Sequence, residues 1–484
     1  MPNKELYISS GLIETRAAIK QNDVVVEVHY MRKDNKACLG NIYIGKVMNV
    51  LPGMAAAFVD IGLEKNAFLA EEDLRGNLYI ADTKRGDHVL KEGRDILVQI
   101  KKEADGTKGA KVSMDVTLAG KYAVLTPFST GIHVSGKINN QNRISMLRKT
   151  YSRVWKKLWK QDAPGVIIRT ASQEANDAEI EHDLCFLQKR YWSMQQKLQG
   201  CKVPSCVDAD QDLLTKAYRE WIDRDTQKIY CDDKTLCDAL HEVFMGSGQN
   251  PYARISLFDR DYDMFCFFNI QREIDVALGR TVHLKSGGYL VFDTTEAMTV
   301  VDVNSGKYTG KKEFEDTAFL INQEAAKEIA RQLRMRNISG MILIDFINMR
   351  DAEKNRQLVE TLGVYIQQDV IQCVIVGMTK LGLLEMTRKK SGLPLASVVN
   401  QTCFRCGGSG RLDNLGSILA DIERKVKLAL REGMPRQGML GEEIADEGKV
   451  VVNVHSSVAA YVLEQGKKSL EQLEAFYQVK IVLD

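Results

Sequence analysis

With 484 residues the chain exceeds what one hydrophobic core ordinarily holds, so several domains are expected. Its composition, 44% hydrophobic and 27% charged, is that of a soluble globular protein; no apolar run approaches the roughly 20 residues of a membrane helix, the start MPNKELYISS lacks the regions of a secretory signal, and a cytoplasmic protein is expected. The net charge of +2 excludes a chain that is basic throughout, so any nucleic-acid binding must rest on local patches. Residues 1–35 read as short strands, including the apolar run Val24–Val28. Residues 36–118 are rich in β-branched residues and turn glycines. There GNIYIGKVMNVLPGMAAAFVDIGLEKNAFLA alternates strands with turns at Pro52–Gly53 and Gly62, the pattern of a small barrel.

A helical period follows at Ile144, Leu147, Tyr151, Val154 and Leu158. A second helix is expected from about Asn176, with Ile180, Leu184, Leu187, Tyr191, Met194 and Leu198 on one face and Gly200 at its close. With the strand GVIIRT between them, these predict a compact α+β insert. The segment YSRVWKKLWK sets Trp155 and Trp159 among Lys156, Lys157 and Lys160. An amphipathic helix whose lysines snorkel over a core face is the favoured reading, and an RNA patch is the other. From about 281 the pattern becomes strands at Tyr289–Phe292 and Thr299–Val303, a helix over Glu313–Arg336, a strand at Gly340–Ile347, a helix over Ala352–Gln368 and a strand at Val374–Val376. That order predicts a layered α/β domain. Beyond Gly410 a helix near Ile418–Leu430 and a closing αβ segment are expected.

The strands MTVVDVNSG and GMILIDFINM each place an aspartate, Asp302 and Asp345, inside an apolar run. An ionised carboxylate buried in a strand is expensive unless it is paired or holds a metal. Alternation puts Asn304 on the face of Asp302. Two carboxylates and an amide oxygen make a hard, oxygen-only site that suits Mg²⁺. Such an ion lowers the pKa of a water and shields a phosphodiester under attack. The following Ser-Gly-Lys-Tyr-Thr-Gly adds glycines for close approach to a phosphate and Lys307 to offset its charge. The competing reading, that the aspartates cap helices or pair with Arg or Lys, is weaker for two in matched strands than for one.

Most of the 10 cysteines sit in apolar or helical contexts and suit thiols in a reducing compartment. Cys403 and Cys406 differ, forming a C-x-x-C knuckle followed by Gly407, Gly408 and Gly410. Structural zinc wants four ligands, and the sequence offers no second knuckle. The pair is either a redox dithiol or half of a zinc site shared between chains. The glycine-rich linker favours shared zinc, which requires a homo-oligomer with local two-fold symmetry.

The strings TVVDVNSGKYTG, ILIDFINM and LLEMTRKK resemble the catalytic signatures of the ribonuclease E/G family. The resemblance implies that Asp302 and Asp345 hold catalytic Mg²⁺, that Asn304 orients Asp302, and that an activated water attacks the scissile phosphate to leave 5′-phosphate and 3′-hydroxyl ends. Glu385, Thr387 and Arg388 fall in the third string without an assigned role; apart from the resemblance they read as a solvated helix end. The family's zinc link usually has proline after its first cysteine, where this chain has Phe404. Residues 36–118 resemble an S1-type OB-fold. There Phe58 and Phe68 would stack on bases and Lys108 would follow the phosphates, although a small barrel also needs core aromatics. In the family an Arg-Thr pair matching Arg169 and Thr170 senses a 5′-monophosphate, and LAGKYAV, through Gly120 and Val124, resembles the other wall of that pocket.

The resemblance implies a multidomain α+β and α/β chain. Its parts are an RNase-H-like subdomain (1–35 and 213–280), the S1-type domain (36–118), a 5′-sensor (119–212), a DNase-I-like catalytic domain (281–400), a zinc link (401–411) and a small C-terminal αβ oligomerisation domain (412–484). Its expected substrates are A/U-rich single-stranded RNAs, including rRNA precursors and mRNA. A homodimer through shared Zn²⁺ is expected, with a higher oligomer left open. The lack of a long disordered arm is expected to place the chain among the family's short members. Two rivals are a non-catalytic RNA-binding dimer of the same fold and a metal-dependent phosphodiesterase acting on DNA.

Overall fold

The computed structural model describes residues 3–32, 39–75, 90–104, 108–159, 163–210, 212–245, 254–306, 314–403, 406–411, 413–432, 444–445 and 449–483. The chain divides into two compact units, Met1–Val399 and Asn400–Asp484. The first begins with an antiparallel meander, β1 (Lys4–Ser10), β2 (Glu14–Gln21) and β3 (Val24–Arg32). Asn22 and Asp23 turn β2 into β3 with φ of 51° and 65°. That left-handed backbone is tolerated best by Asn, Asp and Gly.

Next come β4 (Ile42–Leu51), β5 (Ala56–Asp60), β6 (Ala67–Ala70), β7 (Asp95–Lys102) and β8 (Lys111–Ser113), paired in the order β4-β5-β6-β8-β7. β7 pairs back onto β4 and closes a five-stranded barrel, consistent with an OB-fold. Tyr43, Val47, Val59, Leu69, Val98, Ile100 and Val112 fill it. Alternation fixes that set, since a one-residue slip would turn all of them outward.

The chain then builds a four-stranded sheet from β9 (Leu118–Ala119), β10 (Ala123–Thr126), β11 (Ile132–Val134) and β12 (Gly165–Ile168), ordered β11-β12-β10-β9. Two helices cover it, α1 (Gln141–Leu158) before β12 and α2 (Asp177–Gly200) after it. Asn140 caps α1, and Asn176 with Glu179 forms a reciprocal capping box on α2, so both helices start where a side chain satisfies the first free amides. Trp155 and Trp159 are buried and Lys156 and Lys157 exposed, the arrangement of the snorkelling reading. β13 (Ser205–Asp208) leaves this region and pairs with β4, extending the barrel sheet.

After α3 (Leu213–Lys216), β14 (Thr226–Cys231), α4 (Lys234–Met245) and β15 (Arg254–Leu257) add parallel strands to β1. The resulting sheet, β15-β14-β1-β2-β3, draws on both ends of a long sequence separation. α5 (Met264–Phe267) and α6 (Ile270–Leu278) lead to the last sheet of this unit. It comprises β16 (Thr281–His283), β17 (Tyr289–Thr294), β18 (Met298–Asn304), β19 (Gly340–Asp345), β20 (Cys373–Met378) and β21 (Leu383–Arg388), ordered β16-β17-β18-β19-β21-β20. Only β18 and β19 run parallel, and α7 (Phe314–Met335) makes the crossover that a parallel pair demands. α7 and α8 (Ala352–Ile366) pack on one face, where Val301, Val303, Ile342, Ile344, Leu384 and Met386 meet Ile321, Ala325, Ile329, Leu333, Leu358 and Leu362. Each Val, Ile, Leu or Met among them contributes about 1.5–3 kcal/mol by its burial. The other face carries no helix from this cluster, and that asymmetry positions the site.

α9 (Leu395–Val399) ends the first unit. The second contains α10 (Leu415–Glu432), β22 (Ile444–Ala445), β23 (Lys449–Val452), α11 (Ser456–Gln465), α12 (Lys467–Tyr477) and β24 (Lys480–Leu483). Its helices close over a three-stranded sheet through Ile422, Val426, Val450, Val462, Leu470 and Ile481. Among the described residues no helix is long and apolar enough to cross a membrane.

Candidate active site and RNA-binding surfaces

Alternation along β18 sends Val301 and Val303 into the core and turns Asp302 and Asn304 to the open face. β19 does the same with Ile342 and Ile344 against Asp345. Parallel register sets Asp302 directly beside Asp345, one strand spacing of about 4.8 Å away. Asn304 Nδ2 donates to Asp302 Oδ2 at 2.8 Å and fixes that carboxylate. One expectation is corrected here: the aspartates lie in apolar strands but are exposed, so burial cost does not explain them. The apolar runs arise because every second residue faces α7 and α8.

Neither carboxylate has an ion-pair partner among the described residues. Two unscreened like charges about 5 Å apart repel by about 0.8 kcal/mol in water and by more where the dielectric is lower. A divalent cation reverses that sign. Among the described residues no group of three or more His, Cys, Asp or Glu side chains could hold a metal. A two-carboxylate set open to solvent fits Mg²⁺, which keeps several waters and binds through one or two carboxylates.

Below this pair the backbone is tightly packed. Gly306 has φ of 62°, and a Cβ there would come within 2.4 Å of the Gly287 carbonyl. The glycine after Ser305 therefore accommodates the chain's own 287–288 turn, a closer demand than the expected approach of a phosphate. Lys307 lies outside the described residues.

Glu385, Thr387 and Arg388 lie in strand β21, which corrects the helix-end reading. Glu385 and Thr387 share the open face with the aspartates, opposite Leu343 and Met341 of β19. Arg388 points the other way. It is 3% exposed and bonds Asp369 at 2.7 Å and the Asn337 and Ile338 oxygens at 2.9 Å. It is a structural buried pair, and removing one partner of such a pair costs about 3–5 kcal/mol.

On the barrel, Phe58 and Phe68 face each other across β5 and β6 with ring centroids 6.0 Å apart. Both are half-buried and neither belongs to the barrel core, so they form an outward aromatic platform. Lys108 is exposed nearby, two residues before Ala110, whose carbonyl accepts the Phe68 amide at 2.8 Å. Between them Gly109 is obligatory, since a Cβ would meet the Asn66 carbonyl at 2.1 Å.

The sensor candidates also converge. Arg169 directly follows β12 and donates from Nη1 to the Gly120 carbonyl, while its amide bonds the Tyr122 carbonyl at 2.9 Å. Thr170 follows at the exposed start of a 3-10 turn, and Val124 lies half-buried on β10, paired with Ile167. Sequence reasoning missed what holds this wall in place. Asp183 of α2 is fully buried, and its carboxylate accepts from the amides of Lys121 (2.8 Å), Tyr122 (2.8 Å) and Ala123 (2.9 Å) and from the Tyr218 hydroxyl (3.0 Å). A Cβ on Gly120 would meet that carboxylate at 2.7 Å. The Tyr218 hydroxyl also contacts His182 Nδ1 at 3.2 Å, and burial lowers that imidazole from 6.5 to about 4.

In the second unit the Gly410 and Gly408 amides and the neighbouring Cys403 thiol hold the Cys406 thiol below its usual range. Backbone donors on sulfur favour a thiolate, the form that ligates zinc. The two thiols supply half of a tetrahedral set. Phe404 lies outside the described residues.

A family model described as "Ribonuclease E/G family" matches residues 117–391, a span that holds both the aspartate pair and the sensor candidates. The chain is 31% identical to ribonuclease G of Escherichia coli strain K12 over 99% of its own length and 97% of that protein's. It is 33% identical to ribonuclease G of Haemophilus influenzae over 87% of each chain. It is 36% identical to ribonuclease E of Nostoc sp. over 81% of this chain and 58% of that one. On a family model that spans more than half its length and on near-complete alignment with a relative above 30% identity, the chain belongs to the ribonuclease E/G family.

Proposed function

We propose that this chain is a Mg²⁺-dependent endoribonuclease that cuts single-stranded A/U-rich RNA, leaves 5′-phosphate and 3′-hydroxyl ends, and works faster on substrates bearing a 5′-monophosphate. The family makes it an endoribonuclease of RNA processing and decay. The observation that carries the finer reading is the register pair Asp302–Asp345, exposed, without a cationic partner among the described residues, and braced by Asn304.

Asp302 and Asp345 would hold the ion, which when bound supplies a more acidic water and offsets phosphate charge. Asn304 keeps one Asp302 oxygen oriented, so the site is arranged before substrate arrives. Phe58 and Phe68 stack bases without reading their edges, which suits loose sequence preference, and Lys108 and Lys307 track the backbone. The Arg169 fork and the Thr170 hydroxyl take the terminal phosphate against the Gly120–Val124 wall. Cys403 and Cys406 would share Zn²⁺ with a second copy of the chain, giving a homodimer with one zinc per two chains. We read the sheet that joins β1–β3 to β14 and β15 as RNase-H-like, the β16–β21 sheet as DNase-I-like, and the small αβ unit as a site of oligomerisation. The setting is the cytoplasm, with rRNA 5′-end maturation and mRNA turnover as the roles.

The test is cleavage of one short A/U-rich RNA bearing either a 5′-monophosphate or a 5′-hydroxyl, with Mg²⁺ and with EDTA. Mg²⁺-dependent cutting that favours the monophosphate is expected. Equal cutting of both ends removes the sensor, and RNA binding without cutting under any condition leaves a non-catalytic RNA-binding protein.

A further inference from the structure

From Val116 to Gln161 the chain has no Asp or Glu and carries nine Lys and Arg residues, against a net charge of +2 for the whole protein. Much of that charge falls on α1, and the fold neutralises only part of it. Arg143 is tied to the Ser172 and Ala175 carbonyls at 3.2 and 2.9 Å. Arg153 pairs with Asp177 and Lys157 with Glu181, both on α2. Arg148 and Lys149 are exposed and have no ion-pair partner among the described residues. They line an open cleft of about 640 Å³, together with Ser135, Gln141 and Ser145, over an apolar floor that includes Val134. No acidic side chain among the described residues lines it.

The cleft lies next to the sensor residues. Val134 pairs with Ile168, and the Ser135 amide bonds the Ile168 carbonyl at 3.0 Å, one residue before Arg169. The Arg143 bonds tie the first turn of α1 to the turn that starts at Thr170.

We propose that this cleft is a second RNA-backbone site, in which Arg148 and Lys149 bind phosphates of the strand whose 5′ end sits at Arg169 and Thr170. The inference rests on the RNA-cleaving function proposed above. Two unpaired cations, hydroxyl and amide donors and no acid make a site for phosphodiester oxygens. An apolar floor beside them gives a ribose or base face somewhere to lie. The cations paired with α2 serve the fold instead, so the two classes on one helix can be told apart experimentally.

The experiment measures binding of a fluorescein-labelled, 5′-monophosphorylated A/U-rich single strand to full-length protein carrying Asp302→Asn, in EDTA, over a range of salt. Each phosphate contact on a single strand contributes about 0.7 to the slope of log affinity against log salt, so Arg148→Ala with Lys149→Ala should lower that slope by about 1.4. Arg153→Ala with Lys157→Ala, on the same helix but at ion-paired cations, should leave it unchanged. Equal slopes in all three proteins, or equal losses in both double variants, overturn the proposal. If the unmodified chain cleaves RNA with Mg²⁺ and the Asp302→Asn background binds it, while the first double variant keeps its slope, only this site is lost. If the unmodified chain neither binds nor cleaves RNA, the functional reading and this site are lost together.

Discussion

The open face of the β16–β21 sheet and the interior of the region built on β9–β12 treat carboxylates in opposite ways. Asp302 and Asp345 stand exposed, side by side, with one amide donor on Asp302 and no cation among the described residues. Asp183 is sealed from solvent and surrounded by four donors from this chain. The first arrangement leaves acceptor capacity for an ion and its waters. The second uses that capacity to hold a backbone turn. Whether an aspartate is a site or a strut is thus decided by how many of its lone pairs the fold already satisfies.

The comparison breaks most directly if the exposed pair proves dispensable. Asp302→Asn or Asp345→Asn should lower cleavage by at least about a thousandfold, roughly 4 kcal/mol of barrier. RNA binding in EDTA should persist, and cleavage near the parent rate in both variants would remove the pair from catalysis. Asp183→Ala should act on the fold instead, because it strands three amides and a hydroxyl in a dry interior. A loss of about 3–5 kcal/mol in urea unfolding is expected, with the 5′-monophosphate advantage lost in whatever folds; unchanged stability would show that the turn needs no acceptor. Arg169→Gln should cost little stability and remove most of the rate difference between monophosphate and hydroxyl ends, with internal entry on structured RNA spared, and an unaltered ratio would take Arg169 out of the sensor. The smallest effect concerns His182. The fold keeps it neutral down to about 4, whereas the unfolded chain protonates near 6.5. The unfolded state therefore binds the extra proton between those values, and stability should fall as pH drops from about 6.5 to about 4. His182→Gln should flatten that part of the profile, and an identical slope in the variant would show that other groups set it.

Most of the β16–β21 sheet was legible because its strands alternate and its helices carry a 3.6-residue period. The expectation that Asp302 and Asp345 are buried fails because a near-continuous apolar run usually marks a strand covered on both faces. Here α7 and α8 cover one face, and the period of two sends the aspartates to the other. β21 escaped notice because LLEMTR is built from good helix formers, and only its pairing with β19 and β20 makes it a strand. Asp183 left no local signal at all. Its amide partners lie some 60 residues earlier in the chain and Tyr218 lies 35 residues later, so only the fold reveals the contacts. The cysteine knuckle lay at the other extreme, since its spacing is local and the glycines that donate to Cys406 follow it directly.

The most direct test of the central claim is calorimetric titration of Mg²⁺ into the full-length parent and into Asp302→Asn and Asp345→Asn. If the aspartates form the metal site, the parent binds Mg²⁺ and each variant loses that binding while still binding RNA in EDTA. Mg²⁺ binding that persists unchanged in both variants would contradict it and place the ion elsewhere.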